Sequence, residues 1–123
     1  MVTYEGYSSL DELPRRYRKR AEEQLFDGEE FVRAIDTKTG RFRSKHNQKL
    51  VLTDSRVIRM KSGVIRSNTE DYRLEDITSI QFDRGVRTSK ITLQGSGIDD
   101  SYKVTKRLGQ PFVSAVREQI NGA

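Results

Sequence analysis

The chain has 123 residues, one histidine, no cysteine and a formal net charge of +5. That length holds one hydrophobic core rather than two, and the lack of cysteine removes disulfides, thiolate metal sites and cysteine nucleophiles. Charged residues make up 33% of the chain and no apolar run nears the roughly 18 residues that span a bilayer, so a single charge-dense domain is expected.

The first six residues carry neither the basic nor the apolar segment of a secretory signal, which points to a cytoplasmic protein. The opening segment then reads as a helix. Ser8 and Ser9 are candidate caps, Asp11 and Glu12 suit a first turn, and Pro14 is tolerated only near a helix start. Leu10, Leu13, Tyr17, Ala21 and Leu25 recur at spacings of three and four, forming one apolar stripe that ends at Asp27-Gly28.

After Gly28 the period changes to two. Glu29 to Thr37 fits a strand, Thr39-Gly40 a turn, and Arg41 to Leu52 a long second strand. In that second strand Phe42, Ser44, His46, Gln48, Leu50 and Leu52 share the inward face, and Arg41, Arg43, Lys45, Asn47 and Lys49 the outward one. Val57 to Lys61 and Val64 to Thr69 flank Ser62-Gly63, a two-residue hairpin signal.

Leu74 to Ile77 reads as a short turn feeding strand Thr78 to Asp83. Strands Arg87 to Gln94 and Ile98 to Thr105 follow, joined by Gly95-Ser96-Gly97. Gln110 to Ile120 then reads as a helix with Pro111 in its first turn and Phe112, Val113, Val116 and Ile120 as its apolar stripe. The expected order is helix, seven strands, helix, a small antiparallel barrel or sandwich plugged by the C-terminal helix.

Little in the chain suggests catalysis. His46 has no histidine or cysteine partner for a metal, and its strand position suits a packed or hydrogen-bonded residue. Glu29-Glu30, Glu75-Asp76 and Asp99-Asp100 are sequence neighbours, which strands point to opposite faces, so they make poor paired carboxylates. Gly95 and Gly97 lack the third glycine and the following helix of a phosphate loop. No catalytic residue, metal, cofactor or small-molecule substrate is expected.

The stretch from Leu50 to Met60, with its polar turn Thr53-Asp54-Ser55-Arg56, is followed downstream by Tyr72-Arg73-Leu74-Glu75-Asp76-Ile77-Thr78-Ser79-Ile80. Together these segments resemble the bacterial pleckstrin-homology-like (PH-like) domains over roughly residues 26 to 120. The resemblance implies a mainly β fold, a seven-stranded antiparallel barrel or sandwich capped by a C-terminal helix. It also implies a binding module without chemistry of its own. Residues 1–26 then form a helical extension and 27–123 the PH-like domain, one globular unit.

Charge distribution suggests where binding occurs. Nine basic residues and only Asp36 and Asp54 lie between Asp36 and Arg66, giving that segment +7 and the remainder −2. Within it Lys38-Thr39-Gly40-Arg41-Phe42-Arg43 fits the loose basic pattern between the first two strands of eukaryotic PH domains that bind phosphoinositides. Guanidinium groups fork onto phosphate oxygens and lysine adds a mobile charge. Lys38, Arg41, Arg43 and Lys45, assisted by Arg59 and Lys61 and extended by Arg66, are therefore the candidate anion- or lipid-binding residues. The plainer reading of the same residues is a solvated sheet face.

The leading expectation is recruitment to an anionic surface such as phospholipid head groups, peripheral at the inner face of the membrane. The alternative is a protein-interaction or self-assembly adaptor, in which the helix stripe at Leu13 and Tyr17 meets a partner or a second copy. Non-specific nucleic-acid binding ranks third. The basic run Arg15-Arg16-Tyr17-Arg18-Lys19-Arg20 is balanced by five acidic residues within the first 26, and no aromatic accompanies the basic strand face.

Overall fold

The computed structural model describes residues 4–37, 48–62, 67–86 and 88–122. Pro14 divides the N-terminal segment, because it has no N–H to donate to Leu10 and holds the preceding residue extended. Leu13 accordingly sits at φ −66°, ψ 145°. The helix expected from Ser8 is instead a short strand β1 (Gly6–Tyr7), one 3-10 turn (Leu10–Glu12) and helix α1 (Arg15–Gln24). Glu12 reaches back to the Ser8 N–H at 2.9 Å.

Two antiparallel sheets follow. Sheet A has the order β1, β2 (Phe31–Asp36), β3 (Gln48–Thr53), β4 (Arg56–Ser62) and β5 (Ser67–Arg73). A 3-10 turn at Leu74–Asp76, where a turn was expected, leads into sheet B: β6 (Ile77–Asp83), β7 (Ser89–Gly95) and β8 (Ile98–Val104). Helix α2 (Lys106–Gly122) closes the sandwich. The expected mainly β architecture with helices at both ends is present, with β1 as an added short strand.

Between the sheets lies the main core. Ile35, Leu50, Leu52 and Val57 of sheet A meet Ile80, Ile91, Leu93 and Val104 of sheet B, and α2 plugs the gap with Leu108, Phe112, Val113 and Val116. The inward parity of Leu50 and Leu52 and the α2 stripe are as the sequence indicated. The helix begins earlier than Gln110, since Thr105 O already accepts from the N–H groups of Leu108 and Gly109, so Pro111 lies inside it. Gly109 permits close packing: a Cβ there would lie 2.4 Å from Phe82 Cε1 and 2.7 Å from Val104 Cγ2.

A second core lies on the opposite face of sheet A. Leu13, Tyr17 and Ala21 pack on Ala34, Val51, Ile58 and Met60. This corrects the reading of Lys49 as solvent-facing. It shares the outer parity of Val51, but α1 covers that face and leaves Lys49 1% exposed. The β4–β5 hairpin also takes a different register from the one expected: Ser62 pairs with Ser67, whereas a Ser62-Gly63 turn would set Lys61 against Val64; residues 63–66 lie outside the described residues.

Candidate functional site

The polar turn between β3 and β4 is a structural joint. Thr53 Oγ1 accepts from the N–H groups of Ser55 (3.0 Å) and Arg56 (2.9 Å), and donates to Glu29 at 2.6 Å. Arg56, 4% exposed, forks onto Glu29 at 2.7 and 2.9 Å. It also donates to Asp71 at 2.7 Å and to the Gln24 carbonyl at 2.8 Å, under the Phe26 ring. Burial pushes the Glu29 carboxyl up, but hydrogen bonds from Arg56, Thr53 and the Phe26 N–H outweigh it and hold its pKa at about 2. Four of the five Arg56 N–H donors are engaged in this fixed geometry, so the turn that carries the sequence resemblance ties α1, the segment entering β2, β4 and β5 together.

A second joint holds the N-terminal segment. Lys49 Nζ lies 2.5 Å from Asp36 Oδ1, with both side chains 1% exposed. The ammonium sits 4.4 Å from the Tyr17 ring centroid and 5.3 Å from that of Tyr7. Asp36 also accepts from the Tyr7 hydroxyl at 3.0 Å and the Glu5 N–H at 2.9 Å. Burial, then the Asp36 charge, pushes the Tyr7 hydroxyl well above its usual range. Sequence reading missed this pair, although its signal was present: Ala34, Val51, Ile58 and Met60 make the outer parity of sheet A apolar.

At one end of sheet A three strand ends converge. Thr37 N–H donates to Gln48 O at 3.2 Å, and Gln48 Nε2 to Thr37 Oγ1 at 2.8 Å. Gln48 pairs in register with Lys61. Lys61 is exposed and carries no ion pair among the described residues, whereas Arg59 pairs with Glu70 and lies 3.5 Å from Gln48 Oε1. Across the sandwich the Tyr72 hydroxyl donates to Asp100. Burial, reinforced by that carboxylate, raises Tyr72 to about 12 and Tyr102 still further. These raised hydroxyls stay protonated, which suits hydrogen bonding rather than nucleophilic attack.

Of the residues singled out from sequence, Arg59 and Lys61 share this end and one parity, with Arg59 already engaged. Lys38, Arg41, Arg43 and Lys45 lie outside the described residues, as do His46 and Arg66. Leu13 and Tyr17 are buried against their own sheet, so the stripe is covered within the chain. Among the described residues no group of three His, Cys, Asp or Glu side chains could hold a metal, and no helix is long and apolar enough to cross a membrane.

A bacterial PH domain family model matches residues 25–118. Three solved structures, each 16% identical in sequence, resemble the chain. A DUF1696 family protein with a pleckstrin-homology domain from Shewanella loihica PV-4 aligns with a TM-score of 0.64 over 97% of this chain and 95% of that one. The Vps36 N-terminal PH domain aligns at 0.60 over 80% and 83%. A pleckstrin homology domain from Shewanella amazonensis SB2B aligns at 0.59 over 88% and 97%. No curated protein matches.

Proposed function

Since this chain belongs to the bacterial PH domain family, we propose that it is a non-catalytic binding module recruited to an anionic surface, in the first place phospholipid head groups. One observation carries the reading. Thr37 and Gln48, the residues from which the basic segment 38–47 departs, lie side by side and next to the exposed Lys61. The two residues that flank the basic segment thereby adjoin the exposed cation of β4.

Lys38, Arg41, Arg43 and Lys45 contact phosphate groups and Lys61 adds to their field. Arg59 contributes only by exchanging Glu70 for a phosphate, so its share is smaller. At about 1 kcal/mol per basic residue near an anionic leaflet, the attachment is weak, reversible and salt-sensitive. Co-sedimentation with phosphatidylserine-containing and neutral phosphatidylcholine vesicles, at low and moderate salt, tests it. Binding to the anionic vesicles alone, weakened by salt, is the expected result. Equal binding to both, or none to either, removes the reading.

A further inference from the structure

The free edge of sheet B is complementary to itself. Strand β8 ends the order β6-β7-β8, so among the described residues only its β7 side is paired. The β7–β8 hairpin turns through two residues, Ser96 and Gly97, the latter at φ 73°, where glycine is favoured. In such a hairpin the flanking residues, Gly95 and Ile98, form a hydrogen-bonded pair. Alternation then directs the N–H and C=O groups of Ile98, Asp100, Tyr102 and Val104 toward β7. Those of Asp99, Ser101 and Lys103 point outward, and among the described residues no further strand pairs with them.

The side chains of these three outward residues are exposed on the outer face of the sheet. Within the chain Asp99 stands opposite Gln94, and Lys103 opposite Lys90, a like-charge neighbour. Neither has an ion-pair partner among the described residues. A lysine on an edge ordinarily discourages strand pairing. Here the spacing reverses that effect, because an antiparallel copy centred on Ser101 sets each Asp99 against the Lys103 of the other strand.

We infer that β8 is a homodimer edge, the partner being a second copy of this chain paired antiparallel about Ser101 on a two-fold axis. The contact is isologous, as a two-fold requires. Ser101 meets Ser101, and the two Asp99–Lys103 pairs are identical by symmetry. This register brings all three outward-directed residues into hydrogen-bonded positions at once; a shift of two residues in either direction forfeits both the charge match and one paired position. Two three-stranded sheets thereby become one of six strands. The inference goes beyond membrane recruitment and uses none of the basic residues assigned to it.

Sedimentation velocity over a concentration series, without lipid, tests the proposal on the wild type, Asp99→Lys, Lys103→Asp and the double exchange Asp99→Lys/Lys103→Asp. The wild type is expected to self-associate. Each single reversal sets like charges opposite one another twice and weakens the dimer by at least about tenfold. The double exchange restores the opposite-charge match and regains wild-type association. Circular dichroism checks that each variant keeps its fold. A wild type that stays monomeric up to about 1 mM, single reversals that leave association unchanged, or a double exchange as weak as the singles would each overturn it.

Discussion

Asp36→Ala tests the second joint most sharply. The carboxylate is the acceptor for the Lys49 ammonium, the Tyr7 hydroxyl and the Glu5 N–H. Its removal leaves a buried lysine with, among the described residues, two aromatic faces, which together offset little of a charge's desolvation. Breaking a buried pair from one side costs about 3–5 kcal/mol. For a domain of this size that is a fall in Tm of roughly 10–20 °C. Replacing both partners, Asp36→Leu with Lys49→Met, removes the unpaired charge and returns most of the loss, since apolar substitutes of similar volume are often neutral or better. Thermal and urea unfolding followed by circular dichroism, with a double-mutant cycle, gives the numbers. A loss below about 1 kcal/mol for Asp36→Ala, or a double variant no better than the single, would refute the argument.

Three further outcomes follow from the same geometry. Glu29 has a folded pKa of about 2 against an ordinary 4.5, so its stabilisation is complete above pH 4.5 and is lost as pH falls toward 2. The Tm gap between wild type and Glu29→Gln should therefore narrow across that window, and a constant gap would contradict the Arg56 joint. Gly109→Ala gains about 1 kcal/mol of helix propensity but drives a methyl group into Phe82 and Val104, so a net loss of roughly 1–2 kcal/mol is expected in urea unfolding. Tyr72 and Tyr102 are raised by burial, so their contribution is full below pH 10 and lost as pH rises through their folded values. A tyrosinate absorbance titration should show late-titrating groups above about pH 11, and Tyr72→Phe should remove one of them.

Much of this fold was legible because its signals are local and periodic. Alternation through Leu50 and Leu52 marks the inward face of β3, and Phe112, Val113 and Val116 mark the buried face of α2. Long-range effects were harder to read. Lys49 alternates as a surface residue, and only α1 folding back over sheet A makes it interior. Asp36 looks like one of two acids in a basic segment until β1 and Lys49 bring their donors to it. Two residues of β1 carry no periodicity at all. The turn signal at Ser62-Gly63 has sound local chemistry, yet the pairing of Tyr72 with Val57 and of Ser62 with Ser67 fixes another register. The motif from Thr53 to Arg56 identified the family, but its side chains hold strands together and say nothing of a ligand.

The measurement that bears most directly on function is co-sedimentation with phosphatidylserine-containing vesicles of Arg41→Glu/Arg43→Glu beside Arg15→Glu/Arg16→Glu. The second pair reverses exposed charges on α1, outside the basic segment 38–47 of the sequence. Loss of vesicle binding for the first variant with retention for the second is the result the account predicts. Retained binding for the first, or equal loss for both, would contradict a binding surface carried by the basic segment 38–47.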